Sequence, residues 1–145
     1  MIFQGWWTTG IKIGDTPDIR IIPVMSSFTG ETEKASINIA DLTTLDEFDG
    51  VGYTRLDCAS VTVAYDSGTH AINIDFTNGA GDEFGDPVTA GSEVVYGFVM
   101  YLYVDGTAAN DILIGFTTDG AGVNANGGKL GLTIPALGWF NSSEA

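Results

Sequence analysis

The strongest constraint in this chain is a period of two. Apolar side chains recur at alternate positions in separate runs: Ile37 and Ile39; Ile72, Ile74 and Phe76; Ile112, Ile114 and Phe116; Leu130, Leu132 and Ile134. Successive side chains of a strand point to opposite faces, so each run reads as a strand with one buried face. Between the runs stand Asp66-Ser67-Gly68, Asn78-Gly79-Ala80-Gly81, Asp105-Gly106, Asp119-Gly120 and Asn126-Gly127-Gly128. Such clusters supply the positive φ that tight turns require. Val94 to Val104 is apolar almost throughout and reads as a central strand covered on both faces, with Gly97 marking a bend or a close approach.

Two segments bend the pattern. Ile19 to Met25 is apolar on both parities, and Pro23, which has no N–H to donate, pushes it towards an edge or a bulge. In Tyr53 to Tyr65 the apolar set changes phase: Leu56 and Cys58 lie on one parity, Val61, Val63 and Tyr65 on the other. A one-residue slip moves every side chain to the opposite face. Either a bulge near Ala59-Ser60 or a strand passing from one sheet to another reconciles the halves. One helical turn is predicted at Thr44-Leu45-Asp46-Glu47, with Thr44 as N-cap and Glu47 closing a capping box. About eight short strands and frequent turns predict a single all-β domain, an antiparallel β-sandwich or jelly-roll-like fold with at most one short helical turn.

The chain has 145 residues, which predicts one domain spanning 1–145. Only 17% of residues are charged, below the usual share of about 25%, and Gly, Thr, Ser and Asn take their place. Nineteen acids against five bases give a formal charge of −14. Nucleic-acid binding needs Lys and Arg to neutralise phosphates, and the dispersed Lys12, Arg20, Lys34, Arg55 and Lys129 cannot supply that. The same shortage disfavours anionic membranes. Cys58 is the only cysteine, so an intramolecular disulfide and a cysteine-based metal site are both excluded. Met1 to Trp7 lacks the basic start and apolar run of a signal peptide, and Val94 to Val104 is too short to span a bilayer as a helix. A soluble chain made in the cytoplasm is the expectation.

No catalytic set is visible. His70, the only histidine, follows a turn and reads as an exposed turn residue with nothing to orient it as a base. The acids of Asp46-Glu47-Phe48-Asp49-Gly50 and Asp82-Glu83-Phe84-Gly85-Asp86 are the hard-cation or paired-carboxylate candidates. Neither segment has the EF-hand spacing, and the reading takes them as acidic turns, with no cofactor and no metal. Phe3, Trp6 and Trp7 near the start and Trp139 and Phe140 near the finish either plug the ends of one sandwich or form an interface, and the reading takes them as outward interface anchors. Exposed aromatics also stack on sugars, which keeps a lectin-like role in play. Terminal segments are poorly ordered unless docked, so residues 1–10 read as a docking arm and 136–145 as a docking tail. Arg55 is expected to pin the 45–55 loop by pairing with Asp46 or Asp49, while Gly50 and Gly52 permit its turns.

The segment Asp18-Ile19-Arg20-Ile21-Ile22-Pro23-Val24-Met25-Ser26, followed by Thr43-Thr44-Leu45-Asp46-Glu47-Phe48-Asp49-Gly50-Val51-Gly52-Tyr53-Thr54-Arg55, resembles small virion proteins of tailed bacteriophages that decorate or cement the head. The resemblance continues through Ile74-Asp75-Phe76 and Val94 to Tyr101 and covers roughly residues 18 to 116. It implies a structural, non-enzymatic role on the outer capsid surface of the virion. The implied partners are the major capsid protein and copies of the chain itself, as a homo-oligomer with a trimer favoured. The alternatives are a tail or fibre component with receptor or carbohydrate binding, and an acid-loop glycosidase.

Overall fold

The computed structural model describes residues 2–68, 71–76, 83–131 and 140–143. The chain is all-β, built from antiparallel strands with three short 3-10 turns among the described residues. Its centre is a four-stranded sheet in the order β2-β1-β6-β7, formed by Leu56–Asp57, Ile19–Val24, Val95–Leu102 and Ile112–Val123. Two smaller sheets accompany it. One has the order β3-β4-β9, from Thr62–Asp66, Ala71–Asp75 and Phe140–Ser143. The other pairs β5, Glu83–Val88, with β8, Gly128–Gly131.

Both faces of the central sheet are buried, which explains why β1 and β6 are apolar on both parities. Ile21 pairs with Met100, and both join a cluster with Val63 and Ile74 of the three-stranded sheet and Phe84, Val88 and Leu130 of the two-stranded one. Ile22 pairs with Val99, and these face the opposite way into a second cluster with Phe3, Phe28, Ile39, Leu113 and Phe116. The first face is thus covered by strands and the second by the N-terminal segment and the residues between β1 and β2.

The phase change in Tyr53 to Tyr65 is a passage between sheets. Leu56 and Asp57 pair with Ile21 and Arg20 of the central sheet, a turn at Ala59-Ser60 follows, and Thr62–Asp66 pairs with β4. Ser60 takes a positive φ of 52° to make the turn. Pro23 lies past the end of the two-residue β2, where its carbonyl accepts the Phe48 N–H at 2.9 Å. Its missing donor therefore costs β6 no ladder bond. Gly97 is a close approach: a side chain there would meet the Thr117 carbonyl.

Several expectations are corrected. Ile37 and Ile39 are not in a strand: Asn38 makes one bridge to Ile112, and Ile39–Asp41 is a 3-10 turn. The Asp41 carboxylate accepts the N–H groups of Ile37 and Asn38, both at 2.9 Å, and so tightens the chain into that turn. Thr44 to Glu47 is not helical, because Glu47 bridges to Val24 and both its side chain and the Thr44 N–H are engaged elsewhere. Asp119-Gly120 lies inside the long β7, where the register to β6 shifts between Gly97 and Val95. Leu132 and Ile134 fall outside the described residues, as does His70.

The start of the chain is docked onto the chain itself. Ile2 bridges to Gly115, and the N–H groups of Phe3, Gln4 and Gly5 donate to Ile114, Lys34 and Ser36. Phe3 is fully buried, with its ring 5.1 Å from that of Phe116. It is a core residue, and its reading as an outward anchor is overturned by its place between β7 and the 28–39 segment. Trp6 and Trp7 sit in the 3-10 turn Gln4–Thr8, their side chains outside the described residues. Trp139 lies outside them too, while Phe140 opens β9 and pairs in register with Ile74.

Candidate functional site

The segment around Asp46 and Glu47 is held against β1. The Met25 N–H donates to the Asp46 carbonyl at 2.8 Å, and the bridge between Val24 and Glu47 sets the register. Alternation then decides where each acid points. Bridged partners share a face, so Glu47 lies on the face of Val24 while Phe48, on the other parity, enters the opposite cluster. Arg55 shares the parity of Asp57, which pairs with Arg20, itself paired with Tyr101. Glu47 and Arg55 therefore meet.

The guanidinium of Arg55 grips Glu47 with two bonds, Nε to Oε1 at 2.8 Å and Nη2 to Oε2 at 2.7 Å. The Tyr53 hydroxyl donates to the same Oε1 at 2.8 Å. The partner of Arg55 is thus Glu47, not Asp46 or Asp49. Asp46 accepts the Ser27 N–H at 3.2 Å, and Asp49 accepts the Ser92 N–H at 2.7 Å. The cluster continues inward. Arg55 lies 5.7 Å from the centre of the buried Tyr101 ring, and Arg20 stands 3.4 Å above the ring of Tyr103.

Electrostatics fix this arrangement in one charge state. Burial alone would raise the Glu47 carboxyl, but hydrogen bonds from Arg55 and Tyr53 outweigh it and hold the group below the ordinary carboxylate value. Burial, helped by the Glu47 charge, pushes the Tyr53 hydroxyl far upward, and the Glu47 bond raises Arg55. Tyr101 is raised by burial against the pull of Arg55 and Arg20. Glu47 remains an ionised acceptor whose oxygens are occupied, which suits a structural clamp and not a general base.

Two further carboxylates, which the sequence did not single out, play the same part. Glu33 Oε1 accepts the Thr43 hydroxyl at 2.7 Å and the N–H groups of Thr43 and Thr44 at 3.1 and 2.8 Å. Asp111, 1% exposed, turns Oδ1 to the N–H groups of Val104, Asp105 and Gly106 at 2.9, 3.4 and 3.3 Å. No local motif marks either residue, since their donors lie several positions away.

The loop tip is also fixed. The Val51 N–H donates to Thr89 Oγ1 at 3.1 Å, and the Thr89 N–H returns a bond to the Val51 carbonyl at 3.0 Å. Gly52 has a φ of 90° and lies so close to the Pro87 carbonyl that no side chain fits there. Of the second acidic segment, Asp82 is outside the described residues, Glu83 pairs with Lys129 across β5 and β8, and Phe84 is buried. Among the described residues no group of three His, Cys, Asp or Glu side chains is placed to hold a metal ion. An open groove against Leu102, lined by residues 9–11 and 15–17, offers one ionisable side chain, Asp15. Among the described residues no helix is long and apolar enough to cross a membrane.

No family model, no curated protein and no solved structure matches the chain.

Proposed function

We propose that the chain is a structural protein of a tailed-phage virion that binds the outer capsid surface and reinforces the head. One observation carries this reading. The two segments that resemble head-decoration proteins, residues 18–26 and 43–55, are a single unit in the fold, joined by the Val24 bridge to Glu47 and locked by Arg55. A loop held by charge-assisted bonds presents a fixed surface, and a fixed surface loses little entropy on docking. The acids nearest the loop are taken up by hydrogen bonds, which favours binding over catalysis. An acidic exterior suits the outside of a shell, since on the inside it would face DNA phosphates.

Co-sedimentation tests the proposal. Undecorated phage capsids are pelleted after mixing with the chain at micromolar concentration. Saturable recovery in the pellet is expected. A chain that stays in the supernatant at every capsid concentration refutes the role.

A further inference from the structure

The sequence reads Asn126-Gly127-Gly128 as a turn, and this turn leads into β8. Asn126 and Gly127 are both exposed. Among the described residues no hydrogen bond holds the Asn126 carboxamide. Its Oδ1 lies 3.6 Å from where a β-carbon on Gly128 would stand, so the carboxamide leans forward along the chain. Gly127 has a φ of 84° and open space where a side chain would be. Its backbone nitrogen is therefore unshielded, and one backbone hydrogen bond engages it: the Gly127 N–H donates to the Val88 carbonyl at 2.9 Å. That bond belongs to the β5–β8 pair, whose register slips twice between Glu83 and Val88. A two-stranded pair by itself is marginal, and this one is anchored by the buried Phe84, Val88 and Leu130.

Asparagine is thermolabile because the backbone nitrogen that follows it can attack its carboxamide. A glycine at that next position removes the steric obstacle. We propose that Asn126 is a site of spontaneous deamidation, with water as the only co-reactant, and that the Gly127 bond to Val88 is its brake. The Gly127 nitrogen forms a bond to Asn126 Cγ as the Cγ–Nδ2 bond breaks. The proton that this nitrogen loses leaves with ammonia, and a cyclic succinimide remains. Water then opens either carbonyl of the ring and leaves aspartate or isoaspartate. The nitrogen attacks only when its N–H has left Val88, so the reaction waits for β5 and β8 to part locally. The isoaspartate product routes the backbone through the former side chain and lengthens it by a carbon before Gly127. That displaces the Gly127 N–H from Val88 and keeps the pair open. The modification is independent of what the chain binds.

The test incubates the full chain at mildly alkaline pH, once folded and once in urea, while tandem mass spectrometry follows the amide-to-acid change at each asparagine. Asn78-Gly79 is the same dipeptide and serves as the reference in urea. There Asn126 and Asn78 are expected to convert at similar rates, ahead of Asn110 and Asn124, which precede Asp111 and Ala125. In the folded chain Asn126 should slow by about fivefold or more, the factor that one backbone hydrogen bond supplies. The Gly127 amide of the folded chain should also be protected from hydrogen exchange. Equal rates at Asn126 in the folded and unfolded chain, or a Gly127 amide without protection, overturn the brake. Conversion at Asn78 without conversion at Asn126 in urea overturns the site.

Discussion

Replacing Arg55 by alanine removes both bonds to Glu47 and leaves that carboxylate with Tyr53 as its remaining side-chain donor. The magnitude follows from exposure. The Arg55 and Glu47 side chains are 34% and 28% exposed, between a surface pair worth about 0–1 kcal/mol and a buried pair whose disruption costs about 3–5 kcal/mol. Discounted for solvent screening, the loss is about 2 kcal/mol. A chain of this size shifts its midpoint by about 2–4 °C per kcal/mol, so the melting temperature should fall by about 4–8 °C. Lys34→Ala is the control, because its pair with Glu31 is exposed at 47% and 59% and is worth about 0.5 kcal/mol or less. Thermal melts by circular dichroism at neutral pH read both. A double-mutant cycle with Glu47→Ala should give a coupling of about 1 kcal/mol or more. Equal midpoints for Arg55→Ala and Lys34→Ala, or zero coupling, would refute the clamp.

Phe3→Ala should cost about 3–5 kcal/mol by opening a cavity in the second apolar cluster, whereas Val51→Ala should change stability by under about 0.5 kcal/mol. Urea titrations of the two variants distinguish a core plug from a surface anchor at Phe3. Stability should also fall in acid. Hydrogen bonds lower the Asp41 carboxyl, and at Glu33 and Glu47 they outweigh a burial effect of opposite sign. A depressed folded value means stability that is fully present above the ordinary carboxylate range and lost as pH falls through the folded values. The melting temperature should therefore hold near neutral pH and drop as pH falls below about 4, and a midpoint independent of pH down to 2 would count against these bonds.

How much the sequence disclosed depended on the length over which a pattern ran. Val95 to Leu102 and Ala71 to Asp75 were legible because alternation or burial persists over a whole strand. Ile37 and Ile39 misled because two positions cannot separate period two from a 3-10 turn, although Asn38 followed by Asp41 carried the capping signature there. The phase change after Cys58 was legible as an event, and only the third dimension shows that it passes between sheets. The clamp was half legible. Arg55 and its loop stood out, but Asp46 and Asp49 were the expected partners, and only the Val24 bridge to Glu47 shows which acid stands beside the guanidinium. That bridge joins residues 23 apart in the chain, and no local motif encodes it.

The order of strands in the central sheet governs how the molecule is assembled in time. β1 takes its longest ladder from β6, and partners such as Arg20 and Tyr101 stand about 80 residues apart, so closing that pair costs loop entropy before any contact repays it. The hairpin of β3 and β4 and the pair of β6 and β7 close over far shorter spans. Local hairpins can therefore form early, while the sheet that separates the two apolar clusters waits for its two middle strands to find each other. Until they do, neither cluster has its shared wall.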